Sequence, residues 1–97
     1  MNAMSADNVN KLNEDFPRLF RKGNHFLSGM YANWFNLIYQ TCHEIEQESM
    51  RLGLDDTSWP EIMTCSEKEG TLRFCTDSNI RSIYKITGAV EKKSEGL

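Results

Sequence analysis

The chain reads as an α+β domain, a small antiparallel β-sheet packed by helices, and three observations say so. One long stretch repeats its apolar residues every three, four or seven positions, the rhythm of a helix with a single buried face. Two short runs, residues 61–66 and 71–76, flank a polar turn that contains a glycine, which marks a hairpin. A further helical rhythm follows the hairpin, so the order is helix, helix, hairpin, helix, without the alternation of a parallel sheet. The 97 residues, 39% hydrophobic and 26% charged, suffice for one domain over 1–97 with one modest core.

Residues 1–7 are expected to be a mobile end. Asp7 or Asn8 then caps a short N-terminal helix carrying Val9, Leu12 and Phe16, which ends or restarts at Pro17. Phe16, Pro17, Arg18, Leu19 and Phe20 bring three large apolar groups into a short run, before Gly23 and Asn24 break the chain. The long helix runs over about 28–52, capped by Ser28 and stopped by Gly53. Its inward face is Tyr31, Trp34, Phe35, Ile38, Cys42, Ile45 and Leu52. Glu44 and Glu48 share one flank of it, and Glu46 lies on the other.

After a loop at Asp55, Asp56, Thr57 and Ser58, the hairpin spans about 61–76, with its turn at Glu67, Lys68, Glu69 and Gly70. The expected register sets Met63 against Phe74 and Cys65 against Leu72, all inward, with Thr64 and Arg73 outward. Two strands alone are marginal, so a third strand or close helix packing is expected. Asp77 or Ser78 caps a C-terminal helix over about 78–93, with Ile80, Ile83, Tyr84 and Thr87 inward, and 92–97 form a second mobile end.

Composition narrows the chemistry. No apolar run is long enough for a bilayer, and the first seven residues have neither the basic nor the apolar region of a secretion signal. Cys42, Cys65 and Cys75 are odd in number and widely spaced, which fits reduced, buried thiols in a cytoplasm rather than a disulfide framework. With His25 and His43 they supply metal-ligating atoms, but no pair has the spacing of a zinc site. Cys42 and His43 are neighbours on a helix and point about 100° apart, so they cannot act as nucleophile and base. The aromatic residues are needed for the core and lack interleaved basic residues, so they do not read as a stacking platform for bases. The chain is therefore expected to be a non-enzyme without cofactor or metal.

Charge is what remains. Residues 40–69 carry Glu44, Glu46, Glu48, Asp55, Asp56, Glu61, Glu67 and Glu69 against only Arg51 and Lys68, a local net charge of −6 inside an overall −3. Such a field either aids solubility alone or steers a basic partner.

Three segments resemble a family of small uncharacterised phage and prophage proteins. They are Phe16, Pro17, Arg18, Leu19, Phe20; then Trp34, Phe35, Asn36, Leu37, Ile38 with Cys42 and Ile45; then Glu67, Lys68, Glu69, Gly70, Thr71, Leu72, Arg73, Phe74. The chain departs from that family at Ser66, where lysine is usual, and at Glu69, where phenylalanine is usual. Its glycine-rich run before the tryptophan is reduced to Gly29 and Ala32. A small acidic prophage protein also looks like the type I-F anti-CRISPR proteins that imitate DNA. That resemblance implies a monomeric cytoplasmic inhibitor, with no direct nucleic-acid binding. Its partner would be the basic DNA-binding groove of a CRISPR-Cas surveillance complex, met by Glu44, Glu46, Glu48, Asp55, Asp56, Glu61, Glu67 and Glu69. A phage accessory or structural interaction module, using exposed Met30, Met50 or Trp59, is the alternative. A third reading is a small nucleic-acid binder using Arg73, Arg81, Lys85, Lys92 and Lys93.

Overall fold

The computed structural model describes residues 4–21, 23, 27 and 30–95, and the expected Ser28 cap, Gly29 and His25 lie outside them. The α+β class is as the sequence predicts: a two-stranded antiparallel sheet and a set of helices.

Helix α1 spans Ala6–Asp15, and its cap is Ser5, whose hydroxyl accepts from the Asn8 N–H, in place of Asp7 or Asn8. Met4, inside the stretch expected to be a loose end, is buried, and its N–H donates to the Met30 carbonyl. Leu12 and Phe16 pack inward. Tyr39 of the following helix donates its hydroxyl to Asp15 and sets its ring edge-on to Phe16. Residues 17–20 then form a tight turn that buries Leu19 and Phe20.

The long helix begins later than its periodicity suggests. A 3₁₀ turn at Ala32–Trp34 precedes α2, Phe35–Arg51. Trp34, Ile38, Cys42 and Ile45 are buried on its inner face, and Ser49, not Leu52, continues that face. Ser49 is tolerated there because its hydroxyl donates to the Ile45 carbonyl. Leu52 lies past the last turn and stays 38% exposed. Gly53, at φ 68°, ends α2 with Leu54 N–H donating to Ser49 and its own N–H to Met50, the paired bonds that only a left-handed residue allows.

The hairpin is β1, Ile62–Lys68, and β2, Thr71–Thr76. Its loop is two residues, not four: Glu69 and Gly70 both have positive φ, 55° and 82°, the conformation of a type I′ turn. That moves the register by two from the expected one, to Cys65 opposite Phe74 and Glu67 opposite Leu72. A shift of two preserves faces, so Cys65, Leu72 and Phe74 still point inward. Met63 does not. An irregularity between Ile62 and Thr64 turns Ile62 into the core and leaves Met63 44% exposed.

The C-terminal segment is two helices, α3 over Arg81–Gly88 and α4 over Val90–Ser94, meeting at Ala89. Neither expected cap serves α3. Ser78 takes the Ile80 N–H instead, and the Asp77 carboxylate accepts from the Glu61 N–H while the Asp77 N–H donates to the Glu61 carbonyl, closing the mouth of the hairpin. Ile83, Thr87, Val90 and Ser94 face the core, but Tyr84 is 69% exposed, against expectation.

No third strand joins the sheet among the described residues; one N–H on each outer edge is met by another segment. The Ile62 N–H on the outer edge of β1 donates to the Leu19 carbonyl, and the Leu72 N–H on the outer edge of β2 donates to the buried Ser94 hydroxyl.

Candidate binding surface

The eight acids of the middle segment fall in three places. On one flank of α2, Glu48 accepts from both Arg51 Nε, at 2.7 Å, and Nη2, at 2.6 Å, and lies against Ser82 of α3. Glu44, one turn back, lies 4.0 Å from Lys93. These two help line a broad, shallow hollow of about 550 Å³ with His43, Gln47, Arg51 and Ile86. On the other flank, Glu46 faces the loop that carries Trp59. The Trp59 indole nitrogen is buried beside it, short of regular hydrogen-bond geometry.

Around that loop the basic groups of residues 18–21 meet the next acids. Arg18 lies over the Trp59 ring, 4.3 Å from its centroid, and 3.4 Å from Asp56. Arg21 donates to Glu61 at 2.6 Å, to the Asp56 carbonyl at 3.1 Å and to the Trp59 carbonyl at 2.9 Å. Asp55 is occupied locally, accepting from the Ser58 N–H and hydroxyl. Glu67 and Glu69 sit at the hairpin tip, where Glu67 accepts from the Gly70 N–H. Three of the eight acids, Glu44, Asp56 and Glu61, thus lie against basic groups from the two ends of the chain, which weakens the field of the segment at the surface.

Two acids titrate in opposite senses. The Arg51 guanidinium and the Ser82 hydroxyl pull Glu48 from its ordinary 4.5 to about 2, whereas burial raises Glu46. Since the folded Glu48 holds its proton less tightly than the unfolded one, its contribution is complete above about pH 4.5 and is lost as pH falls toward 2. Glu46 has the reverse sign, stabilising the fold when protonated. A melting series from pH 6 to pH 2 is therefore expected to show a smaller acid-side loss for Glu48→Gln than for the parent chain; equal slopes would contradict the Glu48 pairing.

Other expected groups are placed differently. Met30 and Trp59, candidates for an exposed apolar contact, are buried, and of that set only Met50 is exposed. Cys75 is exposed, not buried; Cys42 and Cys65 are buried. Burial pushes Cys42 well above its ordinary 9.0 and Cys65 up to about 12, so neither supplies a thiolate at neutral pH. Among the described residues no three His, Cys, Asp or Glu groups could together hold a metal ion, and no helix is long and apolar enough to cross a membrane.

A different surface emerges at the outer edge of β2. The Leu72 N–H points away from β1, to Ser94, while the Asp77 N–H points back across the hairpin to Glu61. Backbone groups alternate along a strand, so the N–H groups of Phe74 and Thr76 also point away from β1. They open into a cleft of about 300 Å³, bounded by β2 and by Tyr84, Thr87, Gly88 and Glu91 of α3 and α4. Arg73 crosses its rim, with Nη2 3.0 Å from Glu91 and a buried Nε that has no hydrogen-bond partner. No sequence pattern flags this edge, because its opening depends on where α3 and α4 settle. The one available hint is Tyr84, a large ring between two cationic turns of a helix.

No known protein family, curated protein or solved structure matches this chain.

Proposed function

We propose that the protein is a non-catalytic interaction module that grips another protein by adding an extended segment of it to the sheet at β2. The observation that carries this reading is the edge of β2 at residues 74–76, which borders a cleft of about 300 Å³ walled on its other side by α3 and α4. A two-stranded sheet gains most from a third strand, and main-chain hydrogen bonds at an open edge supply affinity to an otherwise small surface. The reading fits a phage or prophage accessory protein. A DNA-mimicking inhibitor draws less support, because Glu48, Asp56 and Glu61 are engaged by Arg51, Arg18 and Arg21.

The test is amide hydrogen exchange on the free chain. The amides of Phe74 and Thr76 are expected to exchange at least about tenfold faster than those of Arg73 and Cys75, which point into the ladder. Equal protection at all four positions would mean the edge is closed in solution, and this reading would fall.

A further inference from the structure

We propose that α4 is a releasable strap, whose Ser94 hydroxyl occupies on the edge of β2 the place of an added strand's first carbonyl. The proposal rests on the strand-addition reading and gives it an internal competitor. Donors on that edge recur at every second residue, so Leu72, Phe74 and Thr76 form one row about 14 Å long. Phe74 and Thr76 border the cleft, whereas the Leu72 N–H donates to Ser94 Oγ at 2.8 Å. Ser94 Oγ donates in turn to the Glu91 carbonyl at 2.6 Å, at a buried position. A side chain thus does for Leu72 what the backbone of a neighbouring strand would do.

What fastens α4 is slight. Its five residues fall far short of the roughly 12–15 an isolated helix needs, and its N-cap, Ala89, supplies no side-chain hydrogen bond. It is therefore helical only while docked. Docking uses the buried side chains of Val90 and Ser94 and two ion pairs at the surface. Arg73 meets Glu91 at 3.0 Å and Lys93 meets Glu44 at 4.0 Å, with every one of these side chains at least 37% exposed. Exposed pairs of this kind contribute little. Gly88, a poor helix former, closes α3 just before the junction at Ala89, so the helical segment is weakest where α4 parts from α3. Release has a defined product. The Leu72 N–H joins those of Phe74 and Thr76, and the row of three then matches a strand of five residues, a common length. While α4 is docked only two of the three donors are on offer, and affinity for an added strand falls with the docked fraction.

Release is tested by amide exchange of the full chain along a urea series below the unfolding transition. The Leu72 and Ser94 amides are expected to exchange together, at least about tenfold faster than Arg73 and Cys75, and with a shallow urea dependence. Exchange of Leu72 only with Arg73 and Cys75, on their steep urea dependence, overturns the strap; Phe74 and Thr76 still decide strand addition by themselves. Competition is tested with a labelled, end-blocked hexapeptide of alternating Thr and Val, read by fluorescence anisotropy. It is N-methylated along one edge so that it cannot build fibrils. Ser94→Ala leaves the Leu72 N–H without its acceptor in the docked form. That variant is expected to bind the peptide about tenfold more tightly than the parent chain, despite a lower melting temperature. A serine of structural importance alone would give no such gain. Equal or weaker binding by the folded variant, while the parent binds, overturns the strap and leaves strand addition standing. Binding by neither protein overturns strand addition, and the strap's competing role with it.

Discussion

Trp34→Ala is expected to remove about 3–5 kcal/mol of stability, the range for deleting a fully buried aromatic side chain. Trp34 is 1% exposed, lies at the junction of the 3₁₀ turn and α2, and stacks at a tilt on Tyr31 with 4.8 Å between ring centroids. A domain of this size holds about 5–15 kcal/mol in all, so the variant stands close to its unfolding limit. Urea unfolding followed by circular dichroism checks this, with Trp34→Phe as the control that keeps most of the apolar volume. A loss under about 1 kcal/mol would mean that this ring does not sit in the core.

The second large effect is expected at Arg21. Its guanidinium joins the turn after α1 to two carbonyls of the α2–β1 loop and to Glu61, whose side chain is only 13% exposed. Arg21→Ala withdraws three charged hydrogen bonds at once, and about 2–3 kcal/mol is expected, lowering the melting temperature by about 10 °C or more. Arg21→Lys is expected to recover little, since an ammonium cannot reach three divergent acceptors as a planar fork does. A double-mutant cycle with Glu61→Gln separates the ion pair from the carbonyl bonds. Full rescue by lysine would show that only the charge matters.

These two residues show what the sequence could and could not say. Trp34 was legible because helical spacing repeats locally: Trp34, Ile38, Cys42 and Ile45 announce one face whatever the rest of the chain does. The beginning of α2 was not legible, since a 3₁₀ turn carries no strong pattern of its own. The hairpin register failed by two because Glu67 and Lys68 look like turn residues, whereas Gly70 preceded by one residue of positive φ makes the shorter loop. Tyr84 was misplaced for a simpler reason: on a two-turn helix, one position divides an inward stripe from an outward one. Arg21 and Glu61 are 40 residues apart, and nothing local links them. The acidic segment looked like a free surface for that reason. Its counter-charges come from Arg18, Arg21 and Lys93, remote in sequence and near in space.

The bond from the Leu72 N–H to the Ser94 hydroxyl has a consequence for the chain while it is being made. The two residues are separated by 22 positions. At bacterial and eukaryotic elongation rates, Ser94 is added about 1–4 s after Leu72. A hairpin forms within microseconds, so once both strands have left the ribosome it can pair long before its last covering group arrives. During that interval the nascent hairpin exposes Leu72 as well as Phe74 and Thr76 along one edge, a row of main-chain donors and acceptors open to other nascent chains. Helix α4, five residues long, therefore ends this exposure of the Leu72 N–H when Ser94 reaches it.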